Sequence, residues 1–107
     1  EEYIYTPSFG KNNPNLYMQK GSENFFRIKT QPLLKNSALK KLKKEKMLSL
    51  LVFANNINFR SSLVIQADGS LVLKRDQLSS TLDIPEIDAM INNLSSDYLI
   101  LKEAIES

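Results

Sequence analysis

The spacing of apolar and polar positions changes several times along this chain, and each change marks an element. Residues 1–22, "EEYIYTPSFGKNNPNLYMQKGS", hold no helical period. Two prolines, two glycines and a run of asparagines predict an extended N-terminal arm with turns near Gly10 and Pro14. Tyr3, Tyr5, Phe9 and Tyr17 would anchor that arm, either to its own domain or to a partner. "NFFRIKT" then alternates as a short strand does, with Phe26 and Ile28 on one face and Arg27 and Lys29 on the other. Pro32 ends it and suits the first turn of a helix. The chain thus divides into an arm, 1–22, and a domain, 23–107.

From Pro32 onward the period is helical. Leu33, Leu34, Ala38, Leu39 and Leu42 recur at three- and four-residue spacings, and Met47, Leu50, Leu51, Ala54 and Ile57 continue beyond the polar "KKEK". The pattern predicts two helices, or one bent helix, with the break near residues 42–45. "MLSLLVFA" is apolar on most sides and marks the second as the core helix. "NNINFR" stops it, because asparagine competes with the backbone for hydrogen bonds.

"SSLVIQ" and "SLVLKR" are β-rich runs joined through Asp68-Gly69, a dipeptide favoured in the type I′ hairpin turn. "ADGSLVLKRD" faintly resembles a calcium loop. With Gly69 as its sixth position, however, Val64, Gln66 and Arg75 would occupy the first, third and twelfth, where carboxylates are needed.

After the hairpin, "DQLSSTLDI" predicts a short helix capped by Asp76. A second helix opens at Pro85, with Asp83 and Glu86 in capping-box spacing and Ile84, Ile87, Met90, Ile91 and Leu94 on an apolar face. Two short helices meeting at "LDIP" form a helix-turn-helix candidate. In "SSDYLILKEAIES", "YLIL" reads as a strand and "LKEAIES" as a helical turn, and so short a stretch leaves both open.

Composition narrows the function. With 107 residues, 42% of them hydrophobic, one domain with a modest core is expected. Cysteine and histidine are absent, which removes disulfides, thiolate and imidazole metal sites, and Ser-His or Cys-His catalysis. No serine sits in a nucleophile elbow, and three glycines make no phosphate-cradling loop. Asp83, Glu86 and Asp88 make a poor acid-base or metal cluster, because 86 and 88 lie about 200° apart around a helix. A non-enzymatic protein without cofactors, metal or small-molecule substrate is expected. No apolar run reaches the ~18 residues of a membrane span. A soluble protein is therefore expected, cytoplasmic or, in a eukaryote, nuclear. The missing initial methionine and signal-like segment suggest a processed chain or an excised domain.

Charge is unevenly spread. Residues 1–75 carry 13 basic and 5 acidic residues, and residues 76–107 carry 1 basic and 7 acidic. Such a dipole favours an anionic partner on the basic side or head-to-tail contact between charged proteins. Lys40, Lys41, Lys43, Lys44 and Lys46 fall within seven residues, with Lys74 and Arg75 on the hairpin as further candidates. These residues fit a phosphate-tracking surface, a solvated face, or a site for an acidic protein.

The order "FFRIK", "QPLLKNSALKKL", "KKEKMLSLLVFANN" and "GSLVLKRDQLSSTLDIPEIDAMINNLSSDYLILKEA" resembles the winged-helix domain of plasmid and phage replication initiators and replisome organisers, over about residues 25–105. The resemblance implies an α+β winged helix-turn-helix with a small β-hairpin, in which Leu63, Ile65, Leu71 and Leu73 pack a sheet beneath the helices. The chain departs from the family's pattern at Ser79, where a small alanine is usual, and at Asp83, where a glycine is usual. Its reading helix would carry Glu86, Asp88, Asn92 and Asn93, and carboxylates in a groove oppose phosphate contact. Those carboxylates also suit the positive end of a helix dipole. The expectation is a nucleic-acid-binding domain in replication or transcription control that contacts DNA through Lys40, Lys41, Lys43, Lys44, Lys46, Lys74 and Arg75. The alternative is a protein-interaction or oligomerisation module of the same fold that makes no nucleic-acid contact.

Overall fold

The computed structural model describes residues 2–5, 13–20, 25–56, 61–78 and 83–106. Five strands and three helices follow in the order β1 (Glu2–Tyr5), β2 (Leu16–Lys20), β3 (Phe25–Thr30), α1 (Asn36–Lys41), α2 (Lys44–Asn56), β4 (Ser62–Ile65), β5 (Leu71–Leu78) and α3 (Ile84–Glu106). The strands form one antiparallel sheet of order β1-β2-β3-β5-β4. The α+β class is as expected, whereas the winged-helix arrangement is not what the described residues form.

The first departure is at the N-terminus. Residues expected to form an extended arm supply two strands, and Leu16↔Thr30 and Met18↔Ile28 continue the register of β3. Leu16 lies fully buried beside Ile28 in the main apolar cluster, so this segment belongs to the domain. Its polar composition hid the strands, because the sheet requires only every second residue to be apolar. Part of the expected arm, residues 6–12, lies outside the described residues.

The second departure is the helix-turn-helix. Asp76 and Gln77 do not begin a helix; they extend β5, with Asp76 paired to Arg27 and Gln77 to Phe26 on β3. Residues 79–82 lie outside the described residues. Beyond them, one helix runs the 23 residues from Ile84 to Glu106, through the "SSDYLILKEAIES" segment that the sequence leaves open between strand and helix. Met90, Leu94, Tyr98 and Leu101 are buried along it at spacings of four, four and three, which is a continuous helical stripe. Apolar burial along that whole stripe outweighs the weak helix preference of the serines. The stripe lies on the face of the sheet formed by Leu16, Ile28, Leu71 and Leu73.

Elements closer to the expectation surround this core. The helices break at Leu42, whose extended backbone (φ −69°, ψ 130°) ends α1. The hairpin forms where expected but with a different turn. Gly69 N–H donates to Gln66 O (2.9 Å) and Gln66 N–H to Ser70 O (2.8 Å), so three residues rather than two form the loop. Gly69 alone need adopt the left-handed backbone in a loop of this kind, and its φ is +83°. Asp68 locks the turn by accepting from Ser70 N–H (2.9 Å) and Ser70 Oγ (2.6 Å), which holds its carboxyl below the ordinary range.

Tyr98 ties the layers together. Its hydroxyl donates to Pro32 O (3.3 Å) and accepts from Gln31 Nε2 (3.2 Å), and Gln31 Oε1 in turn accepts from Asn15 N–H (2.9 Å). Further along α3, Lys102 Nζ donates to Leu33 O (3.1 Å). The link from β3 to α1 is thereby held against the C-terminal half of α3.

Candidate protein-binding surface

The helix read as the core helix is the least buried of the two long ones. α2 is apolar on two sides, and among the described residues one of them is packed against the domain while the other stays largely exposed. Leu50 is buried, and Phe53 packs against the main cluster. Between α2 and α3 an open cleft of about 460 Å³ is lined by Lys46, Ser49, Leu50, Phe53, Ile100, Glu103 and Ala104. On the opposite side, Leu48, Leu51 and Val52 are 52%, 43% and 57% exposed. At 100° per residue, positions 44, 48, 51 and 52 share one face, so Lys44 heads this outward apolar stripe.

The lysines gather at the N-terminal end of the stripe. Lys40 and Lys41 occupy the last turn of α1, Lys43 lies in the joint, and Lys44 and Lys46 open α2. All are exposed except Lys46, which is half-buried at the rim of the cleft. Lys40 and Lys41 suit the negative end of the α1 dipole, whereas Lys44 and Lys46 stand at the positive end of α2 with only Glu45 to offset them. Among the described residues, Lys35, Lys40, Lys41, Lys43 and Lys44 make no ion pair.

Lys74 and Arg75 do not extend this surface as one patch. Strand alternation sends them to opposite faces of β5. Lys74 shares the outer face with Arg27 and Lys29 and pairs with Asp76 (3.2 Å). Arg75 lies opposite Ile28, on the side of the sheet that faces α3, and its Nη1 is buried without a hydrogen-bond partner. Lys74 and Arg75 therefore do not combine into one basic edge of the hairpin.

The segment read as a DNA-reading helix has its own constraints. Asp83 Oδ1 accepts from Glu86 N–H (2.9 Å), which is the cap its spacing predicts. Glu86 Oε2 accepts from Gln77 Nε2 (2.8 Å) and so fixes the start of α3 to the end of β5. Met90 and Leu94 on the same segment are buried against the sheet. What sequence reasoning missed is the outward stripe of α2: apolar residues all round a helix signal burial, and the sequence does not show which side stays uncovered.

Among the described residues, no group of three or more histidine, cysteine, aspartate or glutamate side chains is placed to hold a metal, and no helix is long and apolar enough to cross a membrane.

No family model matches the chain, and no curated protein matches it. Solved structures do. The chain is similar to one in the heterodimeric complex ExoU-SpcU from the type III secretion system of Pseudomonas aeruginosa, with 20% identity and a TM-score of 0.72 over 96% of this chain and 81% of that one. It is similar to a chain of the ExsC-ExsE complex, with 11% identity and a TM-score of 0.69 over 95% and 74%. An uncharacterized protein from Methanothermobacter thermautotrophicus shares the fold at 12% identity and a TM-score of 0.55, over 97% and 88%. The first two are chains of protein–protein complexes, and together with the divided basic residues and the core-bound α3 they overturn the expectation of a DNA-binding domain in replication or transcription control. At these identities the likeness is one of fold: a five-stranded antiparallel sheet with three helices, a fold found in complexes of one protein with another.

Proposed function

We propose that this domain is a non-enzymatic, chaperone-type module that binds another polypeptide through the outward face of α2. The observation that carries this reading is the row Leu48, Leu51 and Val52, close to half exposed or more on a helix whose other side is already packed. Full burial of such a side chain is worth about 1.5–3 kcal/mol, and with each about half exposed a partner that covers the row recovers roughly half of that per residue. The likeness to chains of the ExoU-SpcU and ExsC-ExsE complexes supports the same reading, as does a sequence without histidine or cysteine.

Selection of a random-peptide library on the immobilised domain tests it. Enriched peptides are expected to bind the wild-type domain and to lose binding to the Leu48→Asp/Leu51→Asp variant, with circular dichroism and a cooperative thermal transition showing that the variant is still folded. Failure to enrich any peptide, or binding indifferent to these substitutions, contradicts the proposal.

A further inference from the structure

Resting on that reading, we infer that the partner of the α2 face is an acidic amphipathic segment, one that places apolar side chains on Leu48, Leu51 and Val52 and carboxylates on the lysines around the α1–α2 joint. Residues 35–46 hold six lysines and one acidic residue, Glu45. Lys40, Lys41, Lys43 and Lys44 are exposed, have no ion pair among the described residues, and lie within four residues of Lys44, the head of the apolar stripe. Mutual repulsion among them, and the unfavourable position of Lys44 at the start of α2, are both relieved by an anionic partner. Lys44 shares the face of the stripe, and Lys40, Lys41 and Lys43 precede it through the α1–α2 joint, so a ligand that reaches the head of the stripe meets cationic side chains and fits best with both apolar residues and carboxylates.

A second copy of this chain is a poorer fit. Its acidic element is α3, whose apolar residues Met90, Leu94, Tyr98 and Leu101 are buried in its own core. Of the α3 carboxylates, Glu86 is bound to Gln77, Asp97 accepts from Ser61 Oγ (2.9 Å), and Glu106 lies 3.9 Å from Lys102, while Asp88 and Glu103 are exposed but fifteen residues apart. The exposed large apolar residues of α3, Ile84 and Ile100, are sixteen positions apart and form no row to set against the stripe.

Fluorescence anisotropy with synthetic helical peptides tests the inference on the whole chain. One peptide carries Leu at i, i+3, i+4 and i+7 with Glu elsewhere; a second replaces Glu by Lys; a third replaces Leu by Ser. The Leu/Glu peptide is expected to bind, and the other two to bind weakly or not at all. Affinity should fall roughly tenfold or more in Lys40→Glu/Lys43→Glu/Lys44→Glu and on raising salt from about 50 to 500 mM. That variant should also gain affinity for the Leu/Lys peptide, which simple unfolding cannot produce. If the Leu/Glu and Leu/Lys peptides bind equally and only Leu48→Asp/Leu51→Asp removes binding, the α2 face binds protein but the acidic class is wrong. If no peptide binds while sedimentation shows a dimer that Leu48→Asp/Leu51→Asp dissociates, a second copy occupies the face and the inference fails. Binding of the Leu/Glu peptide that neither set of substitutions affects overturns both proposals.

Discussion

Arg27 and Asp76 stand opposite each other on β3 and β5, with Arg27 Nε and Nη2 at 2.7 and 3.1 Å from the two carboxylate oxygens of Asp76. The pair lies on the sheet face opposite α3, and Lys74 adds a third contact at 3.2 Å. The Arg27 guanidinium, more than desolvation, sets the balance at Asp76 and holds its carboxyl below the ordinary range. Stability from Asp76 is therefore present above its unfolded value of about 3.9 and is lost as pH falls through the lower folded value. The pair is partly exposed, so its contribution is no more than about 1 kcal/mol. Urea unfolding of Asp76→Asn at several pH values is expected to show that loss at neutral pH and little difference from wild type in strong acid.

Leu94 is fully buried in the middle of the α3 stripe and gives the clearest stability prediction. Leu94→Ala should cost about 2–5 kcal/mol in urea unfolding, by lost burial and the cavity it leaves. A loss well under 1 kcal/mol would mean that α3 does not cover the sheet.

Gly69 sits at φ +83°, and a Cβ placed there would come within 2.6 Å of the Asn36 side chain. Gly69→Ala is expected to cost about 1–2 kcal/mol from backbone strain, with the contact added. In an Asn36→Ala background the contact part should disappear and the backbone part remain, so the two substitutions combine with less than additive loss.

Tyr98 is buried, and that burial raises its hydroxyl pKa above the usual value. Absorbance titration should show a phenol ionising above about 10, a component missing in Tyr98→Phe. That variant also leaves Gln31 Nε2 without this acceptor, at a cost of about 1–3 kcal/mol if the site stays dry.

How much of this was legible in the sequence depended on whether local and global signals agreed. "NFFRIKT" alternates in sequence and is β3. The Asp68-Gly69 hairpin and the break near Leu42 are local features, and both formed. Asp76 is an instructive failure: its neighbours suggest a helix cap, but Arg27 across the sheet holds it in β5. Leu16 and Met18 look like parts of an arm until β3 lies beside them. "YLIL" stays open between strand and helix until the stripe from Met90 to Leu101 is seen to be continuous. The cluster Lys40 to Lys46 was visible in sequence as a charge run. Its connection to the exposed Leu48, Leu51 and Val52 was not, because that depends on which side of α2 meets α3.

The central claim, that the outward face of α2 holds a partner polypeptide, is tested most directly by hydrogen–deuterium exchange of the full chain with and without a library-selected peptide. Protection is expected to concentrate in residues 40–56, with the sheet edges β1 and β4 and the outer face around Arg27 and Lys74 unchanged. Protection confined to a sheet edge or to that outer face, with α2 exchanging as in the free domain, would contradict it.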